Sequence, residues 1–230
     1  MCSINCVFLC VKNLSKKDII GKRVIEVGSR DVNGTIRPFI ELYKPSEYVG
    51  VDMIEGQSVD VICKAEDLIK KFGKNSFDVV ISTEALEHAS DWKKFISNIK
   101  NICKPKGIIL VTTRSRGFGY HGYPYDFWRY ELDDMRHIFS DFEILSLEKD
   151  IIGPGVLIKV RKPNKFMEND LSDYKLYSII SNKKKTEIID SDLKSFRFKR
   201  ITIIEKIKNF SKSTYHKAIS GLYNPKRIMK

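Results

Sequence analysis

At 230 residues the chain is long enough for one well-buried domain with an appendage, and short for two full domains. With 42% hydrophobic and 30% charged residues, 13 glycines and 7 prolines, it cannot be collagen-like, mucin-like or wholly disordered. The net charge of +12 is uneven, because residues 164–230 carry 16 Lys and Arg against 7 Asp and Glu. The basicity therefore belongs to the tail, and residues 1–163 are nearly balanced.

The N-terminal segment and the cysteines indicate an intracellular protein. No apolar run approaches the roughly 20 residues that span a bilayer. The N-terminus has no basic residue before its short apolar stretch and no small-residue cleavage site, so we expect a cytoplasmic protein. Five cysteines without CxxC spacing indicate reduced thiols. Cys2, Cys6 and Cys10 would share one helix face, where packing is favoured over metal ligation because no histidine is near; no metal site is predicted.

The first half of the chain alternates strands with helices. A helix is predicted over residues 6–13, and Ser15 is typical of a second helix start. Five β-branched runs then predict buried strands, at residues 23–28, 47–52, 59–63, 77–83 and 107–113. Helices are predicted between them at residues 35–43, 66–72 and 92–103. This alternation predicts a doubly wound parallel sheet whose ligands bind beyond the carboxyl ends of the strands.

The second half departs from this pattern. A loop rich in glycine and aromatic residues follows residue 113, then a predicted helix at 132–139 and a predicted hairpin of strands at 142–150 and 155–162. Residues 164–192 are polar and are interpreted as a linker or weak helix. Residues 193–210 form a basic amphipathic pattern, which suits either a membrane-surface helix or a helix packed on the core or on a second copy. We therefore predict a domain at 1–163 and a basic, partly helical extension at 164–230.

Two strand ends carry residues suited to a nucleoside-bearing ligand. The first predicted strand runs into VIEVGSRDVNG, which is not a dinucleotide GxGxxG turn because Arg30 and Asn33 occupy two of its glycine positions. The second strand ends at Asp52, whose carboxylate can accept hydrogen bonds from both hydroxyls of a ribose.

The next segments resemble a known family. The stretch FDVVISTEALEHASDWKKFISNIKNICKPKGIILVTT is similar to the fourth strand, helix and fifth strand of class I S-adenosylmethionine-dependent methyltransferases, especially the small-molecule, type 11-like enzymes. With VIEVGSRDVNG, YVGVD and HGYPYDFWRYE, the resemblance covers roughly residues 23–162. It implies a Rossmann-like α/β fold with seven strands, mostly parallel with the last antiparallel, and helices on both faces.

The resemblance also implies S-adenosyl-L-methionine as the cofactor and a set of residues that hold it. Glu26, Gly28, Ser29 and Arg30 would line the methionine end, and Asp52 would bind the ribose. The adenine would lie against Met53, Ala65 and Glu66, and the sulfonium would lie between Thr83 and Glu84. Such acidic side chains suit a zwitterion carrying a sulfonium better than a phosphate-bearing ligand.

Methyl transfer requires alignment, with a base only where the acceptor is a hydroxyl. His88 and His121 are the candidate bases, although His88 would equally suit a role in capping or packing the following helix. The loop over residues 114–131 is predicted to cover the acceptor. Its candidate substrate-binding residues, which suit a sugar or other polyhydroxyl ring, are Tyr123, Tyr125, Asp126, Trp128 and Arg129. A structural Asp126–Arg129 pair is the alternative interpretation.

The favoured function is methylation of a small molecule or glycan, on oxygen. An RNA or protein methyltransferase is the first alternative. Nucleic acid is a disfavoured partner, since the chain has STEA where DNA and RNA amino-methylating enzymes carry N/D-P-P-Y/F. A non-catalytic binding protein that kept the fold is the second alternative. Peripheral membrane contact through the tail is a further expectation, and no oligomeric state is predicted.

Overall fold

The computed structural model describes residues 4–122, 125–150 and 152–222, with side chains through Phe210. The strands are β1 (Arg23–Val27), β2 (Glu47–Asp52), β3 (Val61–Ile62), β4 (Phe77–Thr83), β5 (Cys103–Arg114), β6 (Trp128–Arg129), β7 (Glu143–Lys149), β8 (Gly155–Arg161), β9 (Leu176–Ser178) and β10 (Lys183–Lys185). The helices are α1 (Ile4–Asn13), α2 (Lys16–Ile19), α3 (Arg37–Leu42), α4 (Leu68–Phe72), α5 (Trp92–Ile102), α6 (Leu132–Ile138), α7 (Asp190–Lys194) and α8 (Phe196–Leu222).

Seven strands form the main sheet in the order β3-β2-β1-β4-β5-β8-β7. The pairs from β3 to β5 are parallel, and β8 is antiparallel to both β5 and β7. This confirms the predicted seven-stranded, mostly parallel sheet with an antiparallel last strand. Because β1 and β4 are central and parallel, their carboxyl ends open at one edge of the sheet.

Two apolar cores cover the two faces of the sheet, because neighbouring side chains along a strand point to opposite faces. On β1, Val24 packs with α1 and α3, whereas Ile25 packs with α4, α5 and α6. Helix α5 buries Trp92 and Phe95 on one face, as its periodicity predicts. The Asp91 side chain caps this helix by accepting a hydrogen bond from the Lys94 backbone N–H at 3.0 Å.

The segment 164–192 is neither a linker nor a weak helix, so that prediction is wrong. β9 pairs antiparallel with β6 and with β10, which makes a second sheet of three strands. Leu171, Leu176 and Ile180 are buried in the same core as α5. The apolar side chains of this otherwise polar segment are few, but they are placed where the main domain can bury them.

The helix predicted over 193–210 is observed as α7 and α8, which are separated at Ser195. The Ser195 hydroxyl accepts a hydrogen bond from the Phe198 N–H at 3.1 Å, so this serine caps the start of α8. Ile203, Ile207 and Phe210 are exposed on α8. No helix among the described residues is long and apolar enough to cross a membrane. Membrane-surface contact and packing against a partner both stay predictions for this helix, as does the domain division at residue 163.

Candidate active site

The turn after β1 can be made only with a residue that lacks a side chain. Gly28 has φ +83°, and a Cβ there would lie 2.4 Å from the Cβ of Ala85 in the loop after β4. The Gly28 N–H donates to the Val51 carbonyl at 2.8 Å. The ends of β1, β2 and β4 are therefore in direct contact around this glycine.

Asp52 closes β2 beside that turn. Its carboxylate accepts hydrogen bonds from the Ile54 N–H at 3.0 Å and from the Arg30 N–H at 3.3 Å. The side chain is half-buried, so these backbone donors orient it while it still faces the space beyond the strand ends.

A cavity of about 580 Å³ lies beyond the carboxyl ends of the parallel strands. Its size is typical of a small-molecule or cofactor site. The predicted site residues that line it are Gly28, Arg30, Asp52, Met53, Ala65, Glu66, Glu84, His88 and Tyr125. Residues from the ends of four strands, β1 to β4, and from the loop after β5 thus share one cavity.

Three of the predicted cofactor residues lie behind the cavity lining. Glu26 is buried and accepts hydrogen bonds from the hydroxyls of Tyr48 and Thr83, the latter at 3.1 Å. Burial raises the pKa of the Glu26 carboxyl to about 7. Ser29 and Thr83 are also buried. These three side chains are buried behind the residues that line the cavity, and direct contact between them and the cofactor stays a prediction.

Glu84 begins the loop after β4 and has a left-handed backbone conformation, φ +50°. Its carboxylate pairs with the guanidinium of Arg114 at the end of β5. Burial raises the pKa of Glu84 to about 7, although the Arg114 charge opposes that rise. The pair holds the carboxylate at the cavity wall between β4 and β5.

The loops after β4 and β5 bring four ionisable side chains together, here called the histidine cluster: Glu87, His88, His121 and Asp126. Glu87 is fully buried, and its Oε2 accepts a hydrogen bond from the Thr113 hydroxyl at 2.9 Å. Its Oε1 lies 3.7 Å from His121 Nε2, and His121 Nδ1 lies 2.8 Å from Asp126 Oδ2. The His88 and His121 rings meet edge to face with centroids 4.9 Å apart. Only His88 of the four lines the cavity directly.

The two histidines are in opposite electrostatic environments. Burial lowers the pKa of His88. Burial also opposes a charge on His121, but its contact with the Asp126 carboxylate and the nearby negative charge of Glu87 prevail and raise its pKa to about 9. In return, the pKa of Glu87 falls to about 2 despite its burial. Their surroundings therefore favour the neutral form of His88 and the charged form of His121.

The predicted substrate-binding residues of the loop after β5 divide into two groups. The Arg129 guanidinium grips the Asp126 carboxylate through two hydrogen bonds of 2.5 and 2.6 Å, and both side chains are buried. Trp128 is also buried and donates to the Ala89 carbonyl at 2.9 Å. These three side chains hold the loop and do not line the cavity. Tyr125 lines it, and Tyr123 lies outside the described residues.

One wall of the cavity was missed by the sequence analysis. The cavity is also lined by residues before and within α7: Ile188, Ile189, Asp190 and Leu193. The ring of Phe198 on α8 lies 6.0 Å from that of Tyr125. The only sequence signal was the apolar pair in TEIIDSDL, within a segment interpreted as a linker.

Comparisons with known proteins agree with this geometry. A family model described as a methyltransferase domain matches residues 9–150. Phosphoethanolamine N-methyltransferase 2 of Caenorhabditis elegans is 38% identical over 52 residues, which is 23% of this chain and 12% of that protein's length. The chain therefore spans only a small part of this curated relative.

Solved structures with the same fold include methyltransferases of bacteria and a nematode. The 1,6-didemethyltoxoflavin-N1-methyltransferase of Burkholderia thailandensis, solved with S-adenosylhomocysteine, has a TM-score of 0.57 at 12% identity over 69% of this chain and 78% of its own. An S-adenosylmethionine-dependent methyltransferase of Mesorhizobium loti has a TM-score of 0.54 at 14% identity over 68% and 98%. Phosphoethanolamine N-methyltransferase 2 of Haemonchus contortus has a TM-score of 0.51 at 16% identity over 68% and 53%.

Proposed function

This chain belongs to the methyltransferase domain family and is a class I S-adenosylmethionine-dependent methyltransferase; from that premise, we propose that it methylates a hydroxyl oxygen of a small molecule or glycan. The observation that carries the proposal is the histidine cluster at the cavity wall. Transfer to a hydroxyl requires the loss of a proton, whereas a neutral amine attacks without one. A buried group of imidazoles and carboxylates at this position therefore favours oxygen.

The cavity fits the cofactor. Its lining carries four carboxylates, Asp52, Glu66, Glu84 and Asp190, against the two cationic side chains of Arg30 and Lys64. An acidic lining suits a ligand with a sulfonium and an amine. We propose that Asp52 binds the ribose, that Met53, Ala65 and Glu66 contact the adenine, and that Glu84 lies at the sulfonium end. When bound, S-adenosyl-L-methionine supplies a methyl group on positively charged sulfur.

His88 is the member of the histidine cluster that lines the cavity, where the acceptor would bind. Its Nδ1 lies 2.6 Å from the Tyr125 carbonyl oxygen, so Nδ1 carries the proton and donates it. The lone pair of Nε2 is then available on the other side of the ring, and that atom is buried. The acceptor hydroxyl is proposed to lie at this end of the cavity and to lose its proton there.

An aromatic wall supports a ring-shaped acceptor. Tyr125 and Phe127 both line the cavity, with ring centroids 5.6 Å apart. Aromatic faces stack on the C–H face of a sugar or similar ring. Asp126 and Arg129 satisfy each other, so the proposal for a glycan or small polyhydroxyl acceptor depends on Tyr125 and Phe127.

The test is incubation of the purified protein with cofactor carrying a ¹³C-labelled methyl group and a panel of sugars, glycans and phosphoethanolamine. An O-methyl carbon signal in the product supports the proposal, and exclusive transfer to the amine of phosphoethanolamine contradicts it. His88→Ala should reduce turnover by roughly 100-fold or more, the usual contribution of a proton-transfer group. The matched control is His137→Ala, because His137 stacks on Tyr174 and does not line the cavity.

A further inference from the structure

We propose that Glu87, His88 and His121 bind one divalent transition-metal cation, which activates the acceptor hydroxyl; this role for the cation rests on the proposed O-methylation. The three ligand atoms would be Glu87 Oε1, His88 Nε2 and His121 Nε2. One ligand atom from each of the three residues lies within 4.8 Å of the other two. Two imidazoles with one carboxylate suit Zn²⁺, Mn²⁺, Fe²⁺ or Co²⁺ better than Mg²⁺ or Ca²⁺, which prefer oxygen ligands.

The separations match a coordination sphere that needs only small side-chain movements to close. Bonds of about 2.1 Å in a tetrahedral site put neighbouring ligand atoms about 3.4 Å apart. Glu87 Oε1 and His121 Nε2 are already 3.7 Å apart. That distance is too long for a hydrogen bond and close to the edge of such a tetrahedron.

Two of the three ligand atoms are buried without a partner. Among the described residues, neither Glu87 Oε1 nor His88 Nε2 has a hydrogen bond, and Glu87 is fully buried. A buried acceptor that is left unsatisfied is costly, and such exceptions in folded proteins call for a specific cause. A single cation between these atoms would satisfy both.

The opposite atom of each ligand is held by a second partner. Thr113 donates to Glu87 Oε2 at 2.9 Å, and His88 Nδ1 faces the Tyr125 carbonyl at 2.6 Å. His121 Nδ1 faces Asp126 Oδ2 at 2.8 Å, and Arg129 holds that carboxylate from the other side. Histidines that ligate metals almost always donate their other N–H to a carboxylate or a backbone carbonyl in this way. His121 is thereby held with Nε2 toward Glu87 Oε1, and His88 is held with its Nε2 without a hydrogen bond.

A simpler interpretation is that a protonated His121 bridges Glu87 and Asp126. It balances the charges of the buried groups, but it leaves His88 Nε2 and Glu87 Oε1 without hydrogen bonds, as above. With the cation bound and both imidazoles neutral, the site has one net positive charge, the sum of two carboxylates (Glu87 and Asp126), one guanidinium (Arg129) and the divalent metal. That charge is neutralised when a hydroxyl binds and loses its proton.

The cation would lower the pKa of the acceptor hydroxyl, whose proton passes to water. The acceptor oxygen then forms its bond to the methyl carbon while the carbon–sulfur bond breaks and its electron pair stays on sulfur. The products are the methyl ether and S-adenosylhomocysteine, and no oxidant or reductant is needed.

The test is titration of the full-length, metal-stripped protein with CoCl₂, without cofactor or acceptor, followed by visible absorption. We expect about one Co²⁺ per chain and a d–d band that ZnCl₂ abolishes by displacement. His121→Gln should weaken Co²⁺ binding by more than the roughly 10- to 100-fold that loss of an outer hydrogen-bond partner costs. The matched control, His137→Gln, should bind Co²⁺ as the wild type does, because His137 lies on α6 outside the cluster. Urea unfolding shows whether each variant keeps its fold.

Absence of a Co²⁺ band in the wild type, or an equal affinity in a folded His121→Gln, overturns the metal site. The outcomes for metal and for function are separable. A protein that binds Co²⁺ but methylates only amines keeps the metal site and refutes the hydroxyl acceptor. A protein that methylates a hydroxyl at full rate after removal of all metal keeps the proposed function and refutes the role of the cation.

Discussion

Removal of residues 164–230 is expected to unfold the protein, although the sequence places this boundary at the end of a predicted domain. The removed segment contributes four large apolar side chains to the main core, each at most 7% exposed: Leu171, Leu176, Ile180 and Phe198. Burial of such a side chain stabilises a fold by about 1.5–3 kcal/mol, so the loss is roughly 6–12 kcal/mol. That is comparable to the whole stability of an ordinary domain, about 5–15 kcal/mol.

The truncation also removes a buried polar contact. The Lys100 ammonium is fully buried and donates to Asn169 Oδ1 at 2.8 Å, as well as to Asp141 and the Ile138 carbonyl. Loss of Asn169 takes one hydrogen bond from a charge that has no access to water. The polar and apolar losses therefore act in the same direction.

The assay is urea unfolding of three chains, which are the full length, residues 1–163 and residues 1–202, followed by far-ultraviolet circular dichroism and tryptophan fluorescence. The 1–202 chain is the control, because it keeps Phe198, and among the described side chains that it loses, the apolar ones, Ile203, Ile204, Ile207 and Phe210, are exposed. Its free energy of unfolding should stay within about 1 kcal/mol of the full-length value. Cooperative unfolding of residues 1–163 at the full-length midpoint would refute the reasoning and support an independent domain ending there.

Three further predictions concern single sites. Gly28→Ala should weaken S-adenosyl-L-methionine binding at least tenfold, as measured by calorimetry, because the added Cβ would lie 2.4 Å from the Ala85 Cβ in the loop after β4. Gly119→Ala is the control and should bind as the wild type does, because the space around Gly119 is open. Equal affinities of the two variants would contradict the prediction. Glu26→Gln should raise the free energy of unfolding over wild type by up to about 3 kcal/mol at pH 8 and change it little at pH 4. Burial raises the pKa of the wild-type carboxyl from 4.5 to about 7, so the wild type loses stability as the pH rises through that window, whereas the Gln variant does not. A difference between the two proteins that does not change with pH would exclude this explanation. Lys100→Met should lower the free energy of unfolding by about 3–5 kcal/mol, because it leaves Asp141 buried without its cation. The double variant Lys100→Met with Asp141→Leu should lose less, as a double-mutant cycle followed by urea unfolding measures. Additive losses would show that the pair is not coupled.

The main sheet could be predicted because its signals are local. The β-branched runs at β1, β2, β4 and β5 are bounded by glycine, proline or charged residues, and each has a run of buried residues. The period of three to four residues in α5 likewise follows from its own sequence. Asp52 ends one strand and His88 follows another, and this topology brings the carboxyl ends of both strands to one edge. Gly28 and Glu84, which the family resemblance implies, lie at the same edge.

The small sheet and the part of the cavity wall formed by residues 188–193 could not be predicted, because they depend on contacts between distant segments. β6 has two residues and pairs with β9 about 50 residues later, so neither carries a periodic signal of its own. β10 is a run of three lysines, Lys183–Lys185, which composition alone assigns to a solvated loop. The place of Leu193 at the cavity depends on this sheet, since the chain between β10 and α7 has only four residues.

In the loop after β5, the same residues were compatible with two predictions: contact with the substrate, and an ion pair that holds the loop. A ring-binding site and a buried ion pair use the same side chains, and the sequence contains no sign of which atoms face inward. In the structure, the Arg129 guanidinium spends two donors on Asp126 and another on the Gly119 carbonyl at 2.9 Å. The Phe127 N–H also donates to the Glu87 carbonyl at 2.9 Å. The bond from Phe127 joins the loop to the turn after β4 at Glu87, the residue that His121 also approaches. Among the described aromatic residues of the loop, Tyr125 and Phe127 face the cavity. They are thus presented on a rigid support, and rigidity of this kind is what in-line transfer of a methyl group requires.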